Sequence, residues 1–184
     1  MKRPVRPITA QYLQNAATLY LERYPATAEG LRRVLARRVR RAEMREAPVM
    51  DNVKQAIDAI VARFVEAGVI DDKAFAQTKA RALHRRGTST KLTRNRLQMA
   101  GVDAATLDKA MAALDQELDT DPRRREWRAA VALARRRRLG PYRPDKDRRD
   151  RRNRDLAAMA RAGFDYDVAR KVIDAVSVDA LDEE

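Results

Sequence analysis

The chain has 184 residues, of which 40 are Lys or Arg and 27 are Asp or Glu, so its formal net charge at pH 7 is +13. It contains no cysteine, which excludes disulfides, thiolate zinc sites and thiol nucleophiles. No apolar run approaches the roughly 20 residues that span a bilayer, and no hydrophobic signal region follows the basic start, so we expect a cytoplasmic protein. The positive charge favours an acidic partner, most often nucleic acid or a nucleoprotein surface.

Helical periodicity dominates the chain, and no alternating stretch is typical of a strand. The first predicted helix begins at a Thr9 cap, and a second covers residues 27–45. A third, which carries the clearest amphipathic stripe in the protein, ends at Gly68. Together they predict a first three-helix repeat over residues 9–68, with an insertion near 42–52.

The second predicted repeat covers residues 69–119. Its first helix begins at Asp71 and breaks at Gly87, after which a hydroxyl residue can cap a short helix that ends at Gly101. A last helix from Asp103 carries apolar residues at helical spacing.

The third predicted repeat covers residues 120–184 and matches the second when the two are overlaid. Asp121 and Pro122 form a typical helix start, with proline at the first helical position, and Gly140 ends that helix. A basic insertion near 141–152 separates it from the middle helix, and an acidic tail closes the repeat.

A glycine, a hydrophobic residue and an aspartate close one helix and open the next at residues 68–71, 101–103 and 163–165. Glycine can adopt the left-handed conformation that ends a helix, and the aspartate can accept hydrogen bonds from the next first turn. The recurrence predicts an all-α fold, an elongated, curved array of three tandem three-helix repeats.

Arginine-rich clusters recur in the three predicted repeats. The planar guanidinium bonds phosphates or carboxylates bidentately, so these clusters are candidate contacts for an acidic partner or nucleic acid. The plainer alternative is that arginine replaces lysine on solvated helix faces. The candidate residues are Arg32, Arg33, Arg37, Arg38, Arg40, Arg41, Arg85, Arg86, Lys91, Arg94, Arg96, Arg135, Arg136, Arg137, Arg138, Arg148, Arg149, Arg151 and Arg152.

Aromatic residues make up 5% of the chain, which is too few for the stacking platform of many single-strand binders. Several of them fall on apolar stripes at helical spacing, so we expect them in the core rather than at a contact surface. These residues are Tyr12, Tyr20, Phe64, Phe75 and Trp127.

The residue types of a catalytic centre are sparse. The one histidine, His84, stands beside two arginines on a predicted helix and is expected at the surface. Asp71 and Asp72 are better explained as helix caps than as metal ligands. Neither a Walker-type glycine-rich loop nor a paired-histidine zinc motif is present. We therefore expect no intrinsic catalysis, no cofactor and no metal.

Several segments, taken in their order and spacing, resemble the RecX family of recombination regulators. The most recognisable are residues 67–76, with the sequence AGVIDDKAFA, followed by residues 85–87 and 97–103. Upstream, residues 20–25 and 31–38 resemble the first repeat of that family. The resemblance runs from about residue 12 to residue 176.

The resemblance implies a cytoplasmic bacterial regulator built of three-helix repeats. Such a protein binds the RecA nucleoprotein filament in its groove and restrains the strand-exchange, ATPase and coprotease activities of RecA, in DNA repair and the SOS response. We expect a monomer whose basic face contacts RecA, DNA phosphates or both. The alternative is a nonspecific DNA- or RNA-binding architectural protein that acts independently of RecA. Ser89 stands where family members often have a second glycine.

Overall fold

The computed structural model describes residues 7–181, and within that range the chain forms α-helices and no strand. The all-α fold class is confirmed. The first residues and the last three residues of the acidic tail lie outside the described range. The helices are α1 (Ala10–Leu21), α2 (Ala28–Glu43), α3 (Val53–Glu66), α4 (Asp72–Arg85), α5 (Thr90–Ala100), α6 (Ala104–Glu117), α7 (Pro122–Arg137), α8 (Asp145–Arg161) and α9 (Tyr166–Ile173), with 3-10 turns at Gly140–Tyr142 and Asp179–Leu181.

The chain folds into two compact units. The first unit contains the described residues up to Phe75 together with Ala100–Asp103. The second unit contains Ala76–Met99 and the described residues from Ala104 onward. The division into three repeats stays a prediction, and the order of the helices is compatible with it.

The core of the first unit lies between α1, α2 and α3, because each helix turns its apolar stripe inward. The expected packing of Tyr12, Tyr20 and Phe64 against this core is confirmed, although each ring stays partly exposed. The largest fully buried side chains of this core are Leu13, Leu31, Leu35, Ile60 and Val61.

The main core of the second unit lies between α7, α8 and α9, and Trp127 packs against it as expected. Gly87 fixes how α4 ends in this unit. Its φ is +68°, and a Cβ placed on it would lie 2.4 Å from the backbone nitrogen of Leu133 on α7. Only glycine allows both the left-handed conformation and this close approach of two backbones.

The residues that cap the helices are of the types that the sequence favours at helix starts. The predicted caps at Thr9 and Asp121 accept hydrogen bonds from backbone N–H groups of their first turns, and Pro122 follows Asp121 at the first helical position. Thr27, where the second helix was predicted to begin, caps α2 in the same way. Ser89 is the hydroxyl residue that caps α5, since its Oγ accepts from a backbone N–H 3.2 Å away. These contacts satisfy N–H groups that a helix start leaves without partners.

The aspartate pair after Gly68 caps two different helices. The Asp71 carboxylate accepts from the backbone N–H of Ala74 in α4 at 2.9 Å. The Asp72 carboxylate accepts from the backbone N–H of Ala28, the first residue of α2, at 2.8 Å. The capping prediction is confirmed for both residues, and Asp72 in addition joins two segments of the first unit.

The three junction glycines have positive φ angles, as predicted. The capping role predicted for the aspartate of the last junction is wrong, because Asp165 stands at the N-cap of α9 but its side chain makes no capping hydrogen bond.

The two predicted insertions take different forms. Near residues 42–52, Ile8 pairs with the loop, as its backbone N–H donates to the Pro48 carbonyl at 2.8 Å. Residues 141–152, expected as an inserted connection, are helical from Asp145 onward, since they form the first turns of α8. Asp145 and Asp147 stand in that first turn, where negative charge favours a helix start.

Candidate functional site

Two of the candidate arginines in the first unit are engaged within the chain. The Nε atom of Arg32 lies 2.9 Å from Oδ1 of Asp58 on α3, and the Nε atom of Arg33 lies 2.8 Å from Oε1 of Glu29 one turn earlier on α2. All four side chains are more than a third exposed, so these ion pairs contribute little stability and compete only weakly with an acidic partner.

The other candidates on α2, Arg37, Arg38, Arg40 and Arg41, are exposed, and none has an acidic partner among the described residues. Most of them line one side of a surface groove between α1 and α2, called the first groove below. The lining residues of the first groove are Ile8, Tyr12, Tyr20, Val34, Arg37, Arg38, Arg41, Ala42 and Arg45. None of them is acidic, so the groove has a purely basic rim around an aromatic and aliphatic floor.

Several candidates in the second unit hold this unit together instead of facing solvent freely. Arg94 forms an ion pair with Asp108 on α6. The guanidinium of Arg148 donates to the carbonyl oxygens of Ala175 and Val176, which follow the end of α9. These contacts attach the segment that follows α9 to α8.

Arg152 and Asp174 form a bidentate pair between α8 and α9. Nε of Arg152 lies 2.7 Å from Oδ1 of Asp174, and Nη2 lies 2.6 Å from Oδ2. The hydrogen bonds to this guanidinium lower the pKa of Asp174, and the same contact raises the pKa of Arg152. Arg148 and Arg152 therefore fix α9 on α8, which makes them weaker candidates for partner contact.

A second basic groove, called the second groove below, lies within the second unit along α7. It brings together Arg85 from α4 with Arg135 and Arg136, which the sequence had placed in different predicted repeats. Its volume is about 990 Å³. The lining residues are Arg85, Arg124, Trp127, Arg128, Val131, Ala132, Arg135, Arg136, Tyr142, Val178 and Leu181. None of them is acidic.

Other candidates of the second unit lie outside the second groove. Lys91 and Arg94 line a neighbouring concavity, which shares Arg124 and Trp127 with the second groove and also contains carboxylates, so it has mixed charge. Arg138 ends α7 in the left-handed conformation, with a φ of +53°. Those exposed outside both grooves are Arg86, Arg96, Arg137, Arg138, Arg149 and Arg151.

Sequence reasoning missed several residues of the two grooves. Arg45 follows Arg41 by four positions, and the missed Arg124 and Arg128 share one face of α7 with Arg135, which was predicted. Helical spacing was thus a usable signal for all of them. The contribution of Trp127 was missed for another reason, because a ring that packs on the core can still present one face to solvent.

A buried polar cluster in the second unit also went unpredicted. Arg125 is 4% exposed, and its guanidinium donates to the carboxylate of Asp115 and, at 3.4 Å, to Thr90 Oγ1. Thr90 in turn donates to Glu126 at 2.5 Å. The cluster connects α5, α6 and α7 through partly buried, charge-assisted hydrogen bonds.

His84 lies partly buried beside this cluster, so its expected surface position is wrong. Desolvation lowers its pKa below the ordinary value of 6.5, and the nearby Arg125 and Arg128 cations lower it further. The imidazole is therefore neutral at pH 7, which allows it to sit among arginines.

Within residues 7–181, no group of three or more His, Cys, Asp or Glu side chains is arranged to hold a metal ion. None of the helices in the same range combines the length and the apolar character that crossing a membrane requires.

The chain was compared with family models and with curated proteins. No family model matches the chain. It is 41% identical to the regulatory protein RecX of Myxococcus xanthus, over 94% of this chain and 89% of that protein. It is 33% identical to the regulatory protein RecX of Streptomyces coelicolor, over 77% of this chain and 67% of that protein.

Solved structures show the same fold. A crystal structure of RecX from Lactobacillus salivarius matches with a TM-score of 0.59 at 20% identity, over 95% of this chain and 97% of that one. A second crystal structure, of a regulatory protein RecX, matches with a TM-score of 0.56 at 18% identity, over 90% of this chain and 71% of that one.

Proposed function

The chain belongs to the RecX family of regulatory proteins, and from this premise we propose that it binds the RecA nucleoprotein filament and modulates it. Its main effect is to inhibit the recombinase, ATPase and coprotease activities of RecA in DNA repair and the SOS response. It acts in the cytoplasm as a monomer, and it has no catalysis and no cofactor of its own.

The observation that carries the proposal is the 41% identity with the Myxococcus xanthus relative over 94% of this chain. The charge distribution supplies a physical reason for the choice of partner. A nucleoprotein filament presents phosphates and carboxylates, and the linings of the two grooves contain guanidiniums and no carboxylate. Arginine pairs with both kinds of anion through two parallel hydrogen bonds.

The test adds substoichiometric amounts of the protein to RecA on single-stranded DNA. We expect the DNA-dependent ATPase rate and the yield of strand exchange to fall, because a modulator of a filament affects many protomers for each molecule bound. Unchanged rates of both, at concentrations where the protein binds bare DNA, would contradict the proposal.

The first groove offers a matched pair of variants for the same assay. The double variant R37Q/R41Q removes two cations that line the groove, whereas R23Q/R40Q removes two exposed cations of the same unit that do not line it. Inhibition of RecA should weaken clearly in the first double variant and little in the second. Equal inhibition by both would show that the groove does not contact the filament.

A second candidate function is nucleic-acid binding that does not involve RecA. The observation in its favour is that aromatic side chains line both arginine grooves. Aromatic rings can stack with bases, whereas a surface that contacts only the protein part of a filament does not need them. Tight binding to bare DNA or RNA combined with no effect on RecA would select this function.

A further inference from the structure

We propose that the second groove is a site for single-stranded nucleic acid, in which arginines of α7 and α4 hold successive phosphates and a base packs against Trp127. The inference deepens the proposed function, since it names the strand form and the site of the direct nucleic-acid contact. It is stated for the second unit alone.

The cations of the second groove are arranged in a row. Arg124, Arg128 and Arg135 share one face of α7 and extend over about 16 Å, given a rise of 1.5 Å per residue. Arg85 and Arg136 add two more guanidiniums to the lining. A row of cations fits a polymer with repeated charges better than a single anion, which needs cations that converge on one point.

The donors of this row are largely unused within the chain. Arg85, Arg124, Arg135 and Arg136 are exposed, and no ion pair to them occurs among residues 7–181. Arg128 donates one N–H to the Leu118 carbonyl at 2.9 Å and retains its other donors. Guanidiniums with free donors at the edge of a groove are suited to phosphate oxygens.

Trp127 supplies the aromatic surface of the groove. Its Nε1–H donates to the Leu181 carbonyl at 3.1 Å, and part of the ring packs on the core, so its position is fixed. Because the indole N–H is already satisfied, the ring offers a ligand only its surface. Aromatic surfaces of this kind stack with bases without regard to sequence.

The neighbouring positions of cation and ring favour a single strand over a duplex or an acidic peptide. Trp127 stands between Arg124 and Arg128 along the helix, so a ring and two phosphate-binding groups occupy the same stretch of groove. A nucleotide likewise carries a flat base and a phosphate on one unit. The bases of a duplex are stacked on each other and cannot reach such a ring, while an acidic peptide has no base to stack.

The experiment is carried out without RecA, so its failure and the failure of the proposed function can be told apart. The emission of Trp127, the single tryptophan of the chain, reports binding in the groove. The probes are oligo(dT), an abasic oligonucleotide of the same length, a duplex and polyglutamate. We expect oligo(dT) to quench the emission and to bind about fivefold or more tighter than the abasic strand, as one stacked base requires.

Two double variants test the row of cations. R85Q/R136Q removes two lining arginines, and R86Q/R137Q removes their sequence neighbours, which are exposed but do not line the groove. Both lower the net charge equally. The first should weaken oligo(dT) binding and reduce the slope of log affinity against log salt by about one to two, whereas the second should change both quantities less.

The variant W127L, measured with a fluorescently labelled strand, should lower oligo(dT) affinity to that of the abasic strand while circular dichroism stays unchanged. If this variant fails to fold, the comparison of the two arginine double variants still tests whether nucleic acid binds in the second groove. The inference is overturned if both double variants behave alike, or if the abasic strand or polyglutamate binds wild-type protein as tightly as oligo(dT) with the same quenching.

Discussion

Burial decides what each arginine of α7 does. Arg124 and Arg128 are exposed and line the second groove, whereas Arg125 is 4% exposed and bonds Asp115. In the sequence the three belong to one basic stretch, so composition predicted their charge but not their roles. Helical spacing places Arg124 and Arg128 on one face of α7, but which arginine turns inward depends on the contact that Arg125 makes with Asp115 of α6.

The Arg125–Asp115 pair leads to a prediction on stability. Removing the carboxylate in D115A leaves a buried guanidinium without its counter-charge, so the free energy of unfolding should fall by about 3 kcal/mol. Removing both charges in R125M/D115L should restore most of the loss, because no unpaired buried charge remains. Urea denaturation followed by circular dichroism measures both.

An exposed pair in the same unit provides the control. Arg81 and Glu117 lie 2.6 Å apart with side chains 43% and 50% exposed, so E117A should cost under about 1 kcal/mol. A loss for D115A no greater than that for E117A would show that the buried pair is not a stabilising element.

The helices with apolar stripes were the easiest elements to predict. Their caps at Thr9, Thr27 and Asp121 were also predictable, because a cap depends only on residues within one turn. The first turns of α8 could not be predicted, because the segment is rich in Arg and Asp and shows no apolar periodicity. Arg148 and Arg152 attach these turns to the end of α9 and the residues after it. The buried carboxylate of Asp155, further along α8, holds the chain before the helix, since it accepts from the backbone N–H of Gly140 at 3.0 Å.

The Arg152–Asp174 bridge between α8 and α9 leads to a prediction on pH dependence. The guanidinium lowers the pKa of Asp174 below 3.8, so the bridge stabilises the fold above that value. As the pH falls through the folded pKa, the carboxylate takes up a proton and the contribution is lost. The variant D174N should therefore be less stable than wild type at pH 7, and this difference should shrink below about pH 4.

Chemical denaturation at pH 7 and pH 3 measures the effect. The variant D150N removes an exposed carboxylate from α8 that forms no ion pair among the described residues, and it serves as the charge-matched control. A stability difference between D174N and wild type that is the same at both pH values would refute the assigned role of the bridge.

At the scale of the whole chain, the total charge was predictable and its arrangement was not. Net charge is a sum over residues, and it pointed to an acidic partner from composition alone. The second groove joins Arg85 to Arg135, which are 50 positions apart in the sequence, and their proximity follows from tertiary packing. The aromatic lining of the grooves was hidden for the same reason, because each ring also satisfies the pattern of a core residue.

The net charge also supports a prediction on the oligomeric state. A charge of +13 on a chain of 21.0 kDa makes copies repel each other at low ionic strength. The large exposed apolar residues do not offset this repulsion, because they are distributed over both units. They are Leu19, Tyr24, Met44, Val65, Val69, Met99, Tyr166 and Val176.

Sedimentation equilibrium of nucleic-acid-free protein should give the monomer mass at 50 mM and at 500 mM salt. A dimer mass at the lower salt concentration, where repulsion is strongest, would mean that an attractive interface outweighs the charge.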